Sequence, residues 1–169
     1  MDIPPEASIS KKADIGENVT FGRYCIIHDG ATIGDNTHIG PFCIVGENAR
    51  VGAGCSFTAY CEIRDDCVVG DNTTMGSRCT LSAGVRIGSD VTIKYGFVAT
   101  DTPDLKSGEK VVGTIGDGAM FGVNVVLMPG VNVGEGAIIG ACSQVRKDVP
   151  AMEVWYGNPA EFYRSREKE

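Results

Sequence analysis

The sequence predicts a parallel β-helix, a solenoid of short strands, and three observations lead to this prediction. Apolar residues recur every six positions along nearly all of the 169-residue chain. Glycine directly follows the apolar residue in 13 of 22 repeats. The residue four places after each apolar residue is almost always small or medium-sized. Because neither a helix nor an alternating strand has a period of six, the pattern is specific for this fold class.

The repeat forms two blocks, from Ile9 to Ala99 and, in a new phase, from Ile115 to Val145. Each hexad is interpreted as a short strand and a tight bend. The apolar residue points inward, Gly relieves crowding at the bend, and the small residue fits a narrow interior. The predicted segments are a lead-in over 1–8, a β-helix over 9–150 with a loop at 101–114, and a C-terminal connector and short helix over 151–169.

Composition and charge restrict the class of protein. An apolar content of 43% is sufficient for one domain with a packed core. The net charge of −7 argues against nucleic acid or an anionic membrane as partner, since both require a basic surface. The first residues do not form a signal peptide, and no apolar run is long enough to span a bilayer. We therefore expect a cytoplasmic protein.

The hexads, from Ile9 through Val145, resemble those of the hexapeptide-repeat acyltransferases, whose fold is a left-handed β-helix. The resemblance implies that three hexads make one triangular coil. Residues 18 apart would then stack at about 4.8 Å, the spacing between paired strands. It also implies a left hand, against the usual right-handed crossover rule, which periodicity alone does not reveal.

Seven cysteines raise the question of disulfides or a zinc site. No C-x-x-C spacing occurs, and six of the seven fall in the small inward position of a hexad. We interpret these six as small buried side chains in a reducing compartment. Cys142 falls one place before the inward position and is predicted to be the accessible thiol. The six inward cysteines are Cys25, Cys43, Cys55, Cys61, Cys67 and Cys79.

Gly usually occupies the position after the apolar residue, which we call the Gly rule, and the exceptions to this rule are not spread evenly. Taken every third hexad, one set is always Gly, and a second departs only at Thr58 and Lys94. The third set is polar at five of six positions: Ser10, His28, Gly46, Arg64, Ser82 and Thr100. This stripe is either a solvated edge or a substrate groove. Because it leads to the long loop, the candidate substrate-binding residues are His28, Arg64, Ser82 and Thr100.

The loop Asp101–Lys110 interrupts the repeat, and long irregular loops on a rigid solenoid are usually functional. If the next coil begins at Ile115 after a ten-residue insertion, Met128 and Arg146 continue the polar stripe. Farther along, Asn158 as N-cap, followed by Pro at N1 and Glu at N3, predicts a short helix that caps the open end of the β-helix.

Two C-terminal segments, Gly140–Pro150 (GACSQVRKDVP) and Tyr156–Ala160 (YGNPA), are similar to the signature of hexapeptide acetyltransferases. These include maltose, galactoside and serine O-acetyltransferases and sugar-nucleotide N-acetyltransferases. The resemblance implies a homotrimer that binds acetyl-CoA in a groove between two subunits. The positions it assigns to this co-substrate are Val123 and Ala141 for backbone contacts to pantetheine, and Arg146, Lys147 and Arg164 for the phosphates.

The loop departs from the O-acetyltransferases, which carry a His there because a hydroxyl must be deprotonated before it attacks. The stretch 99–104 contains no His. A free amine needs less help, and the similar N-acetyltransferases have Asn near the place of Asp101. The resemblance therefore implies N-acylation of an amino sugar, and a nucleotide-linked acceptor is expected. Asp101 would orient the amine or take its proton, while a backbone N–H stabilises the oxyanion.

Three other functions are compatible with a chain of this fold class. One is O-acylation of a sugar or other small alcohol, with Asp101 or His28 as the base. Another is a non-catalytic scaffold that uses the β-helix as a rigid rod. A γ-class carbonic anhydrase shares the fold but needs three His around a metal, and the chain has only His28 and His38. No metal is therefore expected.

Overall fold

The computed structural model describes residues 3–167; positions 1–2 of the predicted lead-in and 168–169 of the C-terminal segment lie outside this range. Within it the chain forms 23 strands, most of them two residues long. The strands are β1 Ser8–Ile9, β2 Asp14–Ile15, β3 Thr20–Phe21, β4 Ile26–Ile27, β5 Thr32–Ile33, β6 His38–Ile39, β7 Ile44–Val45, β8 Arg50–Val51, β9 Ser56–Phe57, β10 Glu62–Ile63, β11 Val68–Val69, β12 Thr74–Met75, β13 Thr80–Leu81, β14 Arg86–Ile87, β15 Thr92–Ile93, β16 Val98–Ala99, β17 Thr114–Ile115, β18 Met120–Phe121, β19 Val126–Leu127, β20 Ile138–Ile139, β21 Gln144–Val145, β22 Glu153–Gly157 and β23 Ala160–Ser165.

These strands form three sheets, which are the three faces of a prism. The first face has the order β1-β4-β7-β10-β13-β16-β19-β21, the second β2-β5-β8-β11-β14-β17, and the third β3-β6-β9-β12-β15-β18-β20-β22-β23. Strands on successive coils are parallel, and paired residues such as Ile9 and Ile27 are 18 positions apart. The predicted parallel β-helix with three hexads per coil is thereby confirmed, and this architecture is consistent with the predicted left hand. In residues 3–167, no helix is long and apolar enough to cross a membrane.

The interior is filled by the two inward positions of each hexad. The apolar strand residue and the small residue of the next bend are both buried from Phe21 onward. Among the largest fully buried side chains are Phe57, Phe97 and Phe121. The rings of Phe97 and Phe121 meet edge to face, with centroids 5.0 Å apart. Because each coil packs on its neighbours, stability accumulates from one coil to the next, as in other solenoids.

The six inward cysteines are buried free thiols, as the hexad register predicts. Five of the six sulfur atoms donate to backbone carbonyls; in one case Cys67 Sγ lies 3.1 Å from the carbonyl oxygen of Ser82. Burial raises the pKa of the Cys25 and Cys67 thiols to about 11. Since the thiolate is the reactive form, the raised pKa values and burial should both make these two thiols slow to react at neutral pH.

Thiol labelling tests this register. We expect one of the seven thiols in the native protein to react rapidly with a disulfide reagent, because Cys142 alone is exposed. Cys142→Ser should remove the fast phase, whereas the matched control Cys55→Ser should retain it. Rapid modification of four or more thiols without denaturant would show that the inward assignment is wrong.

The predicted loop leaves the prism and returns in register. Strand β16 pairs directly with β19, with Val98 opposite Val126 and Ala99 opposite Leu127. These partners are 28 positions apart instead of 18, so the loop adds ten residues without changing the stacking. The irregular segment covers 100–113, between β16 and β17. The predicted resumption of the repeat at Ile115 is confirmed.

The predicted C-terminal helix is wrong. Strands β22 and β23 form an antiparallel hairpin instead, and Asn158 and Pro159 lie in its turn. Strand β22 pairs with β20 at the end of the third face, so tertiary pairing overrides the local capping signal. Aromatic and β-branched residues such as Val154 and Trp155 also favour strands. The hairpin closes the last coil, with Ala160 buried and Trp155 packed against the core.

Candidate functional site

Two of the three edges of the prism carry the predicted site residues. The loop edge joins the first and second faces, and the loop 100–113 leaves from it. The aromatic edge joins the third face to the first. The residues that follow the strands of the first face on the loop edge are Ser10, His28, Gly46, Arg64, Ser82, Thr100, Met128 and Arg146. The bends of the aromatic edge carry Tyr24, Phe42, Tyr60, Arg78, Gly96, Asn124 and Cys142.

The four candidate substrate residues lie on one edge but are spread along it. His28 and Arg64 are exposed, whereas Ser82 and Thr100 are half-buried. The Thr100 hydroxyl donates to the carbonyl of Leu127 at 2.8 Å, so its proton is used within the scaffold. Four coils separate His28 from Thr100, which is about 19 Å at the strand spacing. His28 is therefore too distant to act on the same bond as Asp101 of its own chain.

Asp101 stands at the base of the loop and is held at several points. Its carboxylate accepts from Lys110 Nζ at 2.9 Å and from the Thr102 hydroxyl at 2.8 Å. Its backbone carbonyl accepts from the Val111 N–H at 2.7 Å. The Asp101 side chain is 14% exposed and that of Lys110 is 58% exposed. The contacts fasten the two ends of the loop together and leave one carboxylate partly open to solvent.

The Lys110 ammonium lowers the pKa of the Asp101 carboxyl below its ordinary value of 3.8, and the Thr102 hydroxyl contributes to the same shift. A lowered pKa keeps the carboxylate ionised at neutral pH but weakens it as a proton acceptor. Lys110 also shows that this carboxylate is placed to receive an ammonium group. The geometry thus favours holding a cationic or amine group over deprotonating a hydroxyl.

Two of the three predicted phosphate contacts share a cavity at the C-terminal end of the prism. The cavity has a volume of about 400 Å³ and lies between the last coil and the hairpin. Arg146 and Lys147 line it together with Trp155, Phe162 and Glu161. The Arg146 Nε donates to the Gln144 side-chain oxygen at 2.6 Å, which fixes the guanidinium beside the opening.

Arg164 lies elsewhere, on strand β23, where it lines a separate depression with Ile138 and Arg166. One of its guanidinium nitrogens donates to the Ser165 carbonyl at 3.2 Å. The predicted trio of phosphate ligands is thus divided into a pair and an isolated cation in a single chain.

The two predicted pantetheine contacts lie on the aromatic edge, on successive coils. Val123 is half-buried and Ala141 is exposed. The Val123 carbonyl accepts from the N–H of Cys142 at 2.8 Å. Asp101 and Arg146, however, lie on the loop edge. A single chain therefore does not bring all of the predicted site residues together.

The aromatic edge carries a row of stacked rings that was not predicted from the sequence. The rings of Tyr24, Phe42 and Tyr60 stack with centroids 5.1 and 4.8 Å apart, and the Arg78 guanidinium lies 5.9 Å from the Tyr60 ring centroid. All three rings are about half exposed. The 18-residue spacing of the three aromatic residues is a signal in the sequence that could have revealed this row.

Family models match most of the chain. The model described as bacterial transferase hexapeptide (six repeats) matches residues 12–47, 24–59 and 113–147. A second, described as hexapeptide repeat of succinyl-transferase, matches residues 67–100. The chain belongs to the hexapeptide-repeat acyltransferase family. The matched ranges fall on the coils on both sides of the loop, so membership in this family rests on the solenoid itself.

Curated relatives in the hexapeptide-repeat family match over shorter stretches. A putative acetyltransferase of Staphylococcus aureus (strain MRSA252) is 44% identical over 55 residues, which is 32% of this chain and 28% of the relative. A probable macrolide acetyltransferase of Lysinibacillus sphaericus is 48% identical over 52 residues, or 31% of this chain and 29% of the relative. The matched stretch thus spans less than a third of either relative.

Solved structures share the fold over a larger part of the chain. The UDP-N-acetylglucosamine acyltransferase from Campylobacter jejuni superposes with a TM-score of 0.73 at 18% identity, covering 97% of this chain and 75% of that one. Soybean serine acetyltransferase gives a TM-score of 0.54 at 27% identity, covering 58% of this chain and 40% of that one. At 18% identity, the first similarity is evidence for the fold alone.

Proposed function

We propose that the chain is an acyl-CoA-dependent acyltransferase that uses acetyl-CoA and transfers the acyl group to the amine of a nucleotide-linked amino sugar. The observation that carries the proposal is the cavity at Arg146 and Lys147, which lies two coils from Thr100 and Asp101 on the same edge. Guanidinium and ammonium groups are the usual ligands for phosphate in proteins. An acidic chain that binds a polyanion needs such a local cluster.

The state of Asp101 supports an amine as the acceptor. Its carboxylate is ionised and already holds the Lys110 ammonium. In the proposed reaction the neutral amine attacks the thioester carbonyl, the C–N bond forms, and the C–S bond then breaks. Asp101 orients the amine by a hydrogen bond, and the proton lost from nitrogen ends on the departing thiolate. A backbone N–H near the thioester stabilises the oxyanion.

O-acylation of a sugar or other small alcohol is the second candidate function. It is supported by the name of a solved structure of the same fold, the UDP-N-acetylglucosamine O-acyltransferase from Moraxella catarrhalis, which is 22% identical. In this case Asp101 would have to deprotonate the hydroxyl. The lowered pKa of its carboxyl makes it a weak base for that step, so the structure favours N-transfer.

A homotrimer is proposed because the predicted site is divided between two edges. Val123 and Ala141 lie on the aromatic edge, and Asp101 and Arg146 lie on the loop edge. A groove with one wall from each of two subunits would bring both sets to one acetyl-CoA molecule, and cyclic symmetry would repeat it three times. Light scattering coupled to an activity assay should find activity only in the trimer. A fully active monomer would contradict the proposal.

The co-substrate site is tested by calorimetry with acetyl-CoA. Replacing Arg146 and Lys147 together by Ala should weaken binding by about 1.5–3 kcal/mol for each charged hydrogen bond lost. The control is Lys12→Ala, which removes an exposed cation at the opposite end of the prism and should leave the affinity unchanged. Arg164→Ala, measured in parallel, shows whether the isolated cation contributes. Unaltered affinity in the double variant would place the co-substrate elsewhere.

A further inference from the structure

A second depression lies on the aromatic edge, and we call it the Arg78 pocket. It has a volume of about 520 Å³. The pocket includes Asn124, the residue directly after Val123. It therefore extends the line from Ala141 to Val123 along the aromatic edge, in the direction away from the cavity at Arg146 and Lys147. It therefore lies where the thioester end of a bound acyl-CoA would point. The lining residues are Thr58, Gly76, Ser77, Arg78, Tyr95, Gly96 and Asn124.

The chemistry of the Arg78 pocket suits an anionic, oxygen-rich ligand. On a chain with net charge −7, its lining contains one cation and no carboxylate. The Thr58 and Ser77 hydroxyls lie 2.9 Å apart and present two polar groups at the wall. The Tyr95 side chain is 57% exposed, which leaves its ring free to stack on a flat or ring-shaped group. A guanidinium can bind a phosphate through two parallel hydrogen bonds.

Bulky residues with positive φ recur along the aromatic edge, and Arg78 is the one of them that lines this pocket. At the other two edges the bend residue with positive φ is always Asn, Asp or Gly except at Met152. On the aromatic edge, Arg78 has a φ of 60°, and Tyr24, Phe42 and Tyr60 adopt similar values. This conformation is unfavourable for bulky side chains, and such strain collects at functional sites. Thr58, a departure from the Gly rule, lies in the same pocket.

We propose that the Arg78 pocket binds the phosphate-bearing part of the acceptor, so that the acceptor is a phosphorylated or nucleotide-linked sugar. Arg78 holds the phosphate, and Tyr95 stacks on the sugar or base. The inference rests on the proposed function, which places the thioester near Val123. It differs from the sequence-based assignment, in which the acceptor contacts only the loop edge.

The test is calorimetric titration of the full chain with uridine diphosphate and, separately, with inorganic pyrophosphate. Both are expected to bind, and Arg78→Asn should weaken binding at least tenfold. Because Asn is the residue that other bends use at positive φ, this variant should melt at the same temperature as the original protein or higher. Arg50→Asn, on the second face, is the matched control and should bind both probes normally. Tighter binding of uridine diphosphate than of pyrophosphate would identify a nucleotide-linked acceptor, and equal binding a sugar phosphate.

Two results would overturn the inference. One is the absence of binding by both probes in a protein that still binds acetyl-CoA, which would leave the proposed acyltransferase function intact. The other is a fall of several degrees in the melting temperature of Arg78→Asn with unchanged probe affinity, which would make Arg78 a structural residue. The acetyl-CoA titration is independent of both probes, so a failure of the proposed function would be recognised separately.

Discussion

Replacing Asp101 by Ala is expected to reduce kcat/KM for an amine acceptor by roughly 10- to 100-fold. The loss corresponds to one charged hydrogen bond of about 1.5–3 kcal/mol, because the amine would no longer be oriented. Asp101→Asn should retain substantial activity. Its amide oxygen can still accept from the Thr102 hydroxyl and from the amine, and the neutral amine needs no strong base. Steady-state kinetics of the two variants give the comparison.

The same pair of variants separates N-transfer from O-transfer. If the acceptor is a hydroxyl and Asp101 is the base, Asn should be nearly as damaging as Ala, by the roughly 10²–10⁴-fold that general-base catalysis supplies. Asp104→Ala is the matched control, since it removes an exposed carboxylate from the same loop. If neither Asp101 variant loses activity, Asp101 does not take part in the reaction.

The pH dependence provides a further check on Asp101. The Lys110 ion pair lowers its pKa below 3.8, so the carboxylate is predominantly ionised above that pH. As the pH falls, the carboxylate becomes half protonated only when the pH reaches this lowered pKa. Between pH 5 and 8, kcat/KM should therefore show no inflection caused by Asp101. The pH profiles of the original protein and of Asp101→Asn should have the same shape in this range.

Replacing Phe97 by Ala is expected to lower the free energy of unfolding by about 3–5 kcal/mol. The side chain is fully buried and meets Phe121 edge to face, so the substitution leaves a cavity inside the coil beside the loop. Urea denaturation followed by circular dichroism measures the loss. Because stability in a solenoid is largely local, unfolding should begin in the coils around position 97.

Phe42→Ala is the control for the interior. This residue is 43% exposed on the aromatic edge, where its ring stacks between those of Tyr24 and Tyr60. Its loss should cost about 1–3 kcal/mol, less than the loss of Phe97, since each of its two exposed aromatic pairs contributes about 0.5–1.5 kcal/mol. Equal losses at the two positions would mean that Phe97 is not a core residue.

The fold could be predicted because one period determines it. The inward apolar residue, the bend and the small inward residue all follow from the six-residue repeat, and the resumption at Ile115 follows from its phase. The hand and the three-hexad coil came from family resemblance, because a period carries no information about either. The prediction of a C-terminal helix failed because the helix-start signal at Asn158 and Pro159 is local. The free edge of β20, which β22 occupies, is created by the folded sheet.

Less of the candidate site could be predicted from the sequence. The polar stripe was found because its residues break a rule at a fixed position of the hexad. The Arg78 pocket was missed because the six-residue pattern specifies no residue type at the positions of Arg78 and Tyr95, and the positive φ of Arg78 is known only from the structure. The Lys110 contact with Asp101 joins two ends of an irregular loop, and no periodicity relates them. The division of the site between two edges became evident only when the strand register was known.

The way the loop leaves and re-enters the prism makes this chain suitable as a display scaffold. The Lys110 and Val111 contacts with Asp101 fasten the base of the loop, and the coils on either side pair as if it were not there. At the far end Gly108 has positive φ, and a side chain added there would meet nothing within 4 Å. A foreign peptide grafted after Gly108 would be presented at a fixed height on a stiff rod, and in a trimer three copies would be presented with threefold spacing.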